Sequence, residues 1–106
     1  MITEEVRQTD KDGFLILPKK FKSHGFNFEQ VVREGDFAIY KKWKDGQISI
    51  SWEVIKIMKQ KEFKLGDTII PKKEAFCSDS QWGIFGFTLC SKEDALKKMD
   101  LIMKNE

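Results

Sequence analysis

A chain of 106 residues with 41% hydrophobic and 12% aromatic side chains has the length and apolar content of one domain around one core. Because 19 basic and 17 acidic residues nearly cancel to a net charge of +2, the composition argues against a DNA-packing protein and a polybasic membrane binder. With two cysteines, no signal-peptide pattern and no apolar run near the roughly 20 residues that span a bilayer, we expect a cytoplasmic protein with free thiols and no membrane contact.

The beginning of the chain predicts a tail followed by a strand. Residues 1–12 are polar and show no periodicity, so we expect a frayed N-terminal tail in front of a single domain at 13–106. The apolar run GFLILP, at 13–18, is typical of a strand, and Pro18 ends it.

The next segment predicts a short amphipathic helix at 27–34. Asn27 is a suitable N-cap, and Gln30 stands three residues later, at the capping-box position. Gly35 follows as a C-terminal stop, which is the usual place for glycine after a helix.

The strongest local pattern is a β-hairpin around Asp45 and Gly46, a pair suited to the positive φ angles of a tight turn. The preceding DFAIYKKWK alternates between two faces, as a strand does. The following QISISWEV alternates more strictly and predicts four inward side chains, Ile48, Ile50, Trp52 and Val54.

This alternation breaks after Val54, because Ile55 and Ile57 are apolar on the face that carried polar residues. Either a bulge shifts the register, or both faces of the sheet are covered at this point. A charged stretch then predicts a turn at Gly66, and TIIP predicts a short edge strand stopped by Pro71.

The C-terminal part predicts a strand at 83–90, GIFGFTLC, and the clearest helix of the chain. Ser91 is a suitable N-cap, with Asp94 three residues later. The helix has an apolar stripe at helical spacing, formed by Ala95, Leu96, Met99, Ile102 and Met103. Together these elements predict an α+β fold: a four- to five-stranded, mostly antiparallel sheet with the C-terminal helix packed on one face.

Few residues are suited to catalysis or metal binding. CSDSQWGIFGF, at 77–87, contains a thiol, hydroxyls and a carboxylate, but a cysteine nucleophile needs a base such as histidine, and the single His24 lies far from Cys77 in sequence. Its Ser, Asp and Gly residues are turn formers, so we interpret this stretch as a hydrogen-bonded corner. One histidine and two cysteines are too few for a structural zinc site. We therefore predict no metal, no cofactor and no catalytic residue.

Glu53 is the carboxylate that leaves an enzymatic alternative open. It lies in a strand whose polar face later becomes apolar, and a buried glutamate with a raised pKa can act as a base. The structural alternative is that Glu53 faces solvent or pairs with the cross-strand Lys42. We adopt the structural alternative.

The candidate binding surface is basic, because residues 41–73 contain nine lysines and four acids, a net charge of +5. The predicted binding residues are Lys41, Lys42, Trp43, Lys44, Lys56, Lys59, Lys61 and Lys64. Aromatic residues interspersed with lysines, as in YKKWK, are typical of single-stranded nucleic-acid binding. Strand alternation places Trp43 with Lys41 and Tyr40 with Lys42, however, so a stacking platform on one face requires a twist.

The segment from about 36 to 103 resembles a set of small phage and mobile-element proteins. The motifs that carry the resemblance are FAIY at 37–40, WEVIKI at 52–57, IPKKEAF at 70–76, SDSQWGIFGFT at 78–88 and the helix after Ser91. The chain departs from the pattern at Cys77, where a proline is expected, and at Phe87, where tryptophan is common.

The resemblance implies no known reaction. It implies a non-catalytic protein that contacts a host protein or ribonucleoprotein, as inhibitors of bacterial defence of the anti-CRISPR type do. Direct binding of RNA or single-stranded nucleic acid through the lysine-rich 41–73 region is the alternative function.

Overall fold

The computed structural model describes residues 9–76 and 86–104. The main sheet is antiparallel, with strand order β1-β2-β3-β4-β9, and consists of β1 Lys20–Ser23, β2 Phe26–Glu34, β3 Phe37–Lys44, β4 Ile50–Lys56 and β9 Gly86–Leu89. The helix α1, Lys92–Lys104, packs against β3, β4 and β9. The predicted α+β fold, with a C-terminal helix on one face of an antiparallel sheet, is therefore confirmed.

Four short strands form two ribbons outside the main sheet: β5 Met58–Gln60 pairs with β8 Lys73–Ala75, and β6 Phe63–Leu65 pairs with β7 Thr68–Ile70. Both ribbons have the same register, because Gln60 lies opposite Lys73 and Phe63 lies opposite Ile70. They are one long hairpin whose ladder is interrupted at Pro71, which has no N–H to donate. The predicted turn at Gly66, which has φ 61°, and the predicted strand before Pro71 are confirmed.

The helix α1 begins where the sequence predicts, because the Ser91 Oγ accepts a hydrogen bond of 3.1 Å from the backbone N–H of Asp94. Ala95 and Met99 are buried against the sheet. Leu96 departs from the predicted apolar stripe, since it is 40% exposed on the outer side of the helix.

Both faces of the main sheet are covered at its centre, which explains the broken alternation after Val54. Val54 and Ile39 face the helix, whereas Ile55 and Tyr40 face the opposite side, and all four are 0% exposed. The register between β3 and β4 is continuous, so the alternative with two covered faces is correct and the bulge is not needed.

The face opposite the helix is filled mainly by aromatic side chains. The rings of Phe21 and Phe28 stack at 4.7 Å, and the ring of Tyr40 lies 5.3 Å from that of Phe76. The Tyr40 hydroxyl donates to the carbonyl of Pro18 at 2.7 Å and accepts from the amide side chain of Gln30 at 2.9 Å. This cluster packs the N-terminal segment and the β5–β8 ribbon onto the sheet.

The β3–β4 hairpin is confirmed, and Gly46 has the positive φ of 79° that its turn requires. Two of the four side chains predicted to point inward are exposed, Ile48 at 96% and Ile50 at 42%. The reason is that β4 begins only at Ile50, which pairs with Trp43, so Ile48 lies in the connecting loop.

The predicted helix at 27–34 is wrong, because these residues lie in β2. The strand pairs on one side with β1 and on the other with β3, and Phe28 lies opposite Phe21. A bulge between Gln30 and Val32 lets the adjacent Val31 and Val32 both pack on the helix side of the sheet. Gly35, expected to stop a helix, lies in the turn between β2 and β3 with φ 59°.

The predicted strand at 13–18 is not a strand of the main sheet. Leu15 instead forms two isolated bridges, antiparallel to Thr9 and parallel to Lys73. Of the tail expected at 1–12, residues 1–8 lie outside the described residues, as do 77–85, which hold Cys77 and most of the predicted corner.

Candidate functional site

Three large exposed apolar side chains of the described chain lie on the ribbon formed by β6 and β7, which we call the arm (residues 63–70). The two strands pack on each other, and no other described strand or helix contacts them to a similar extent. Phe63, Leu65 and Ile69 are 43%, 67% and 64% exposed. Contiguous exposed apolar side chains mark interaction sites, so the arm is the first candidate for a binding site.

The root of the arm, the β5–β8 ribbon, is anchored by Glu74, which is only 2% exposed. Arg33 donates two hydrogen bonds to the Glu74 carboxylate, at 2.7 and 2.6 Å, and the backbone N–H of Leu17 donates a third at 2.9 Å. The hydrogen bonds from Arg33 hold the pKa of Glu74 below its ordinary value, although burial acts in the opposite direction. Glu74 therefore fixes the root to the main sheet and to the N-terminal segment.

Lysines surround this root and form what we call the basic collar: Lys59, Lys61, Lys72 and Lys73. The Nζ atoms of Lys59 and Lys72 lie 5.4 and 5.0 Å from the ring centre of Phe14, one cation–π contact each. Residues 59–73 contain five lysines and two acids, a net charge of +3. The collar thus places positive charge directly beside the exposed apolar arm.

The eight predicted binding residues lie on three surfaces. The helix side of the main sheet carries Lys41, Trp43 and Lys56, the opposite side carries Lys42 and Lys44, and the ribbons carry Lys59, Lys61 and Lys64. The alternation predicted for β3 is therefore present, with the Lys41 Nζ 5.4 Å from the Trp43 ring. Tyr40 is 0% exposed and has no face available for stacking a base. Only the ribbon lysines lie beside the arm.

A second candidate is a shallow groove of about 330 Å³ on the helix side of β1 to β3, lined by Lys20, Phe21, Lys22, Asn27, Phe28, Glu29 and Trp43. Its lysines already have carboxylate partners. The Lys20 Nζ lies 3.6 Å from Glu29, and the Lys22 Nζ lies 3.1 Å from Asp45. A phosphate bound here would have to replace these contacts, so the groove is less suited to nucleic acid than its Trp43 ring indicates.

Glu53, the residue that left an enzymatic alternative open, is 2% exposed on the face opposite the helix. Its carboxylate accepts a hydrogen bond of 2.7 Å from the Thr88 hydroxyl, and the Lys42 Nζ lies 3.5 Å away. Of the two branches of the structural alternative, the pair with Lys42 is confirmed, and Glu53 does not face solvent. The reason is that the strand β9, which carries Thr88, pairs alongside β4.

Two general features of the described residues bear on function. Within 9–76 and 86–104, no group of three or more His, Cys, Asp and Glu side chains is placed to hold a metal ion. In the same ranges, no helix combines the length and the apolar character needed to cross a membrane.

Neither the exposed apolar surface of the arm nor the anchoring role of Glu74 was predicted from the sequence. A signal for the arm was present, because FKL and TII flank the turn at Gly66 and can pair as a hairpin. No comparable signal exists for the contact between Arg33 and Glu74, which lie 41 residues apart.

Comparisons with the known protein families, with curated protein sequences and with solved structures found no match to this chain.

Proposed function

We infer that this protein is a non-catalytic binding protein that acts by contact with another protein, and that the arm is its contact element. The observation that carries this proposal is the exposure of Phe63, Leu65 and Ile69 on a ribbon with a fixed root. Single exposed apolar side chains such as Ile48 are common on proteins, but here three of them lie on one short ribbon, and a partner that covers them gains their burial free energy.

The buried carboxylates support a binding role over a catalytic one. Glu74 is held by Arg33 and by the backbone of Leu17, and Glu53 is held by Lys42 and Thr88. In both cases the contacts join strands of different segments, which is a structural use of a carboxylate. The Glu74 carboxylate, with its lowered pKa, is also a weaker base than a typical general base at neutral pH.

The narrower proposal is that the partner is a host protein or ribonucleoprotein and that the protein inhibits a bacterial defence system from within the cytoplasm. It rests only on the motif resemblance of residues 36–103 to phage and mobile-element proteins.

Direct nucleic-acid binding is the second candidate function, and the +5 net charge of residues 41–73 is the observation that favours it. Salt separates the two functions, because phosphate contacts release counterions and lose affinity steeply as salt rises. An interface centred on buried apolar side chains depends on salt far less.

The experiment is an affinity capture from bacterial lysate, with and without nuclease, that compares the wild-type chain with Leu65→Asp. Ile48→Asp is the matched control, since Ile48 is 96% exposed but lies outside the arm. We expect one protein to survive nuclease, to be retained by the control and to be lost with Leu65→Asp. Equal retention by both variants would refute the arm as the contact element, and loss of every partner with nuclease would move the function to nucleic acid.

A further inference from the structure

We propose that the arm is a wedge that enters an apolar cleft on the partner protein and that carboxylates on the rim of this cleft meet the basic collar. This inference rests on the proposed function and adds to it the shape and the charge of the partner's surface.

The first observation is that each face of the arm carries at least one exposed apolar side chain. In an antiparallel pair, residues opposite each other point to the same side. Phe63 and Ile70 therefore share one face with Leu65, whereas Ile69 lies on the other face, opposite Lys64. A flat partner surface would cover only one of these faces and would leave either Leu65 or Ile69 in water. A cleft covers both.

The second observation is the size of the element that has to be accommodated. Each strand of the arm has three residues, which at about 3.3 Å per residue gives a length of about 10 Å before the turn. Two paired strands are about 5 Å apart between their backbones. The cleft is therefore about 10 Å deep. It is just wide enough for the ribbon with one layer of side chains on each of its two faces.

The third observation is the position of the positive charge. The collar lysines lie where the arm leaves the body, so they would meet the rim of the cleft and not its floor. Lys72 is already held over the ring of Phe14, which reduces the side-chain entropy that binding would cost. Lys59 also lies over this ring, but its Nζ is 3.8 Å from the Asp10 carboxylate, so a partner carboxylate would have to compete with Asp10 for it. Lysines at a rim pair with Asp and Glu on the partner, and such rim charges increase association rates and select the correct partner.

Two other occupants fit these observations less well. A second copy of the chain would bring two arms of the same charge together, since residues 59–73 carry a net charge of +3. A DNA groove also admits a two-stranded ribbon, and apolar side chains can wedge between bases. The turn of the arm carries Asp67, however, whose charge repels phosphate, and residues 63–70 offer only Lys64 and Thr68 as side chains suited to contact bases.

The test is cross-linking with probes at defined positions. The photo-reactive residue p-benzoylphenylalanine replaces Leu65 in one variant, Ile69 in a second and Ile48 in a control, and each variant is irradiated in bacterial lysate. In parallel, the wild-type chain is treated in lysate with a carbodiimide, which joins a lysine amine directly to a carboxylate in contact with it. Mass spectrometry identifies the linked residues.

We expect the probes at 65 and 69 to react with the same protein, on the two walls of one cleft, and the probe at 48 not to react with it. The carbodiimide should join Lys61 or Lys73 to an Asp or Glu of that protein. The double variant Lys61→Glu/Lys73→Glu should slow association with the purified partner by about tenfold at low salt, and by less at high salt.

The proposal and the proposed function fail in distinguishable ways. If only one of the two arm probes reacts, or if the carbodiimide joins no collar lysine to the partner, the wedge in an apolar cleft with an acidic rim is wrong while protein binding by the arm stands. If both probes react with a second copy of the chain or with nucleic acid, the stated partner is wrong. If neither arm probe gives a product above the control, the proposed function fails as well.

Discussion

Replacement of Glu74 by glutamine tests the anchor of the arm. The substitution keeps the side-chain volume but removes the negative charge, so the Arg33 guanidinium loses its bidentate partner. Breaking a buried ion pair from one side costs about 3–5 kcal/mol. Because the Arg33 side chain is 25% exposed and keeps part of its hydration, we expect the lower end, a loss of about 3 kcal/mol in the free energy of unfolding.

Urea unfolding measures this loss. With a slope of about 1.5 kcal/mol per molar urea for a domain of this size, the midpoint should fall by about 2 M. Asp100→Asn is the control, since its ion pair with Lys104 is mostly exposed, at 65% and 71%, and should change the free energy of unfolding by no more than about 0.5 kcal/mol. A loss below about 1 kcal/mol for Glu74→Gln would refute the reasoning, because it would mean that Arg33 is well solvated without its partner.

The stabilisation that Glu74 contributes should also depend on pH, and the Glu74→Gln variant measures this dependence. The pKa of Glu74 is lower in the folded chain than its ordinary value of 4.5, so the folded state binds the proton less readily than the unfolded state. The stabilisation is therefore complete above pH 4.5 and is lost as the pH falls from 4.5 through the lower folded pKa. The difference in urea midpoint between wild type and Glu74→Gln should stay constant near neutral pH and shrink below about pH 4.5. A difference that grows on acidification would contradict the assigned direction of the pKa shift.

Substitutions at three further positions test the fold by urea unfolding. Tyr40→Phe removes the hydroxyl that bonds both Pro18 and Gln30, and should cost about 1–3 kcal/mol; a neutral result would show that water replaces it. Ser91→Ala removes the N-cap of α1 and should cost about 1 kcal/mol, while Ser91→Asp should restore most of the loss. Gly46→Val should cost about 1–3 kcal/mol through its backbone alone, since φ is 79° and no atom lies within 4 Å of the added Cβ; an unchanged midpoint would mean that the turn rearranges at no cost.

The parts of the fold that the sequence predicted are those determined by local pattern. Alternation around Asp45 and Gly46 predicts the β3–β4 hairpin, because the turn and both flanking strands indicate the same register. The helix after Ser91 follows from an N-cap and an apolar stripe within one short segment. In both cases the residues that determine the element are neighbours in sequence.

The predictions failed where tertiary contacts override local preference. Asn27 and Gln30 have the spacing of a helix start, but Phe28 pairs across to Phe21 and the segment is hydrogen-bonded on both sides as β2. Helix propensities differ by less than 1 kcal/mol per ordinary residue, so two ladders of backbone hydrogen bonds and an aromatic cluster outweigh them. The bulge at Val31 adds to the error, since it lets the adjacent Val31 and Val32 pack on the same side and so departs from the strict alternation of a strand.

The candidate site was harder to predict than the fold, because exposure depends on the rest of the molecule. FKL and TII read as ordinary strand fragments, and nothing within them shows that Leu65 and Ile69 would remain outside the core. The basic character of the region was visible in the sequence, whereas the division of its lysines among three surfaces follows from the path of the ribbons.

The anchor and the arm depend on each other, because a two-stranded ribbon alone is marginal in water. The register of β5 with β8 continues into that of β6 with β7, so order in the root favours pairing in the arm. Glu74 supplies this order with three hydrogen bonds from two different segments. The arm can therefore present apolar side chains on both faces without a core of its own. A partner that covers them does not also have to fold the ribbon, and more of the burial free energy remains for binding.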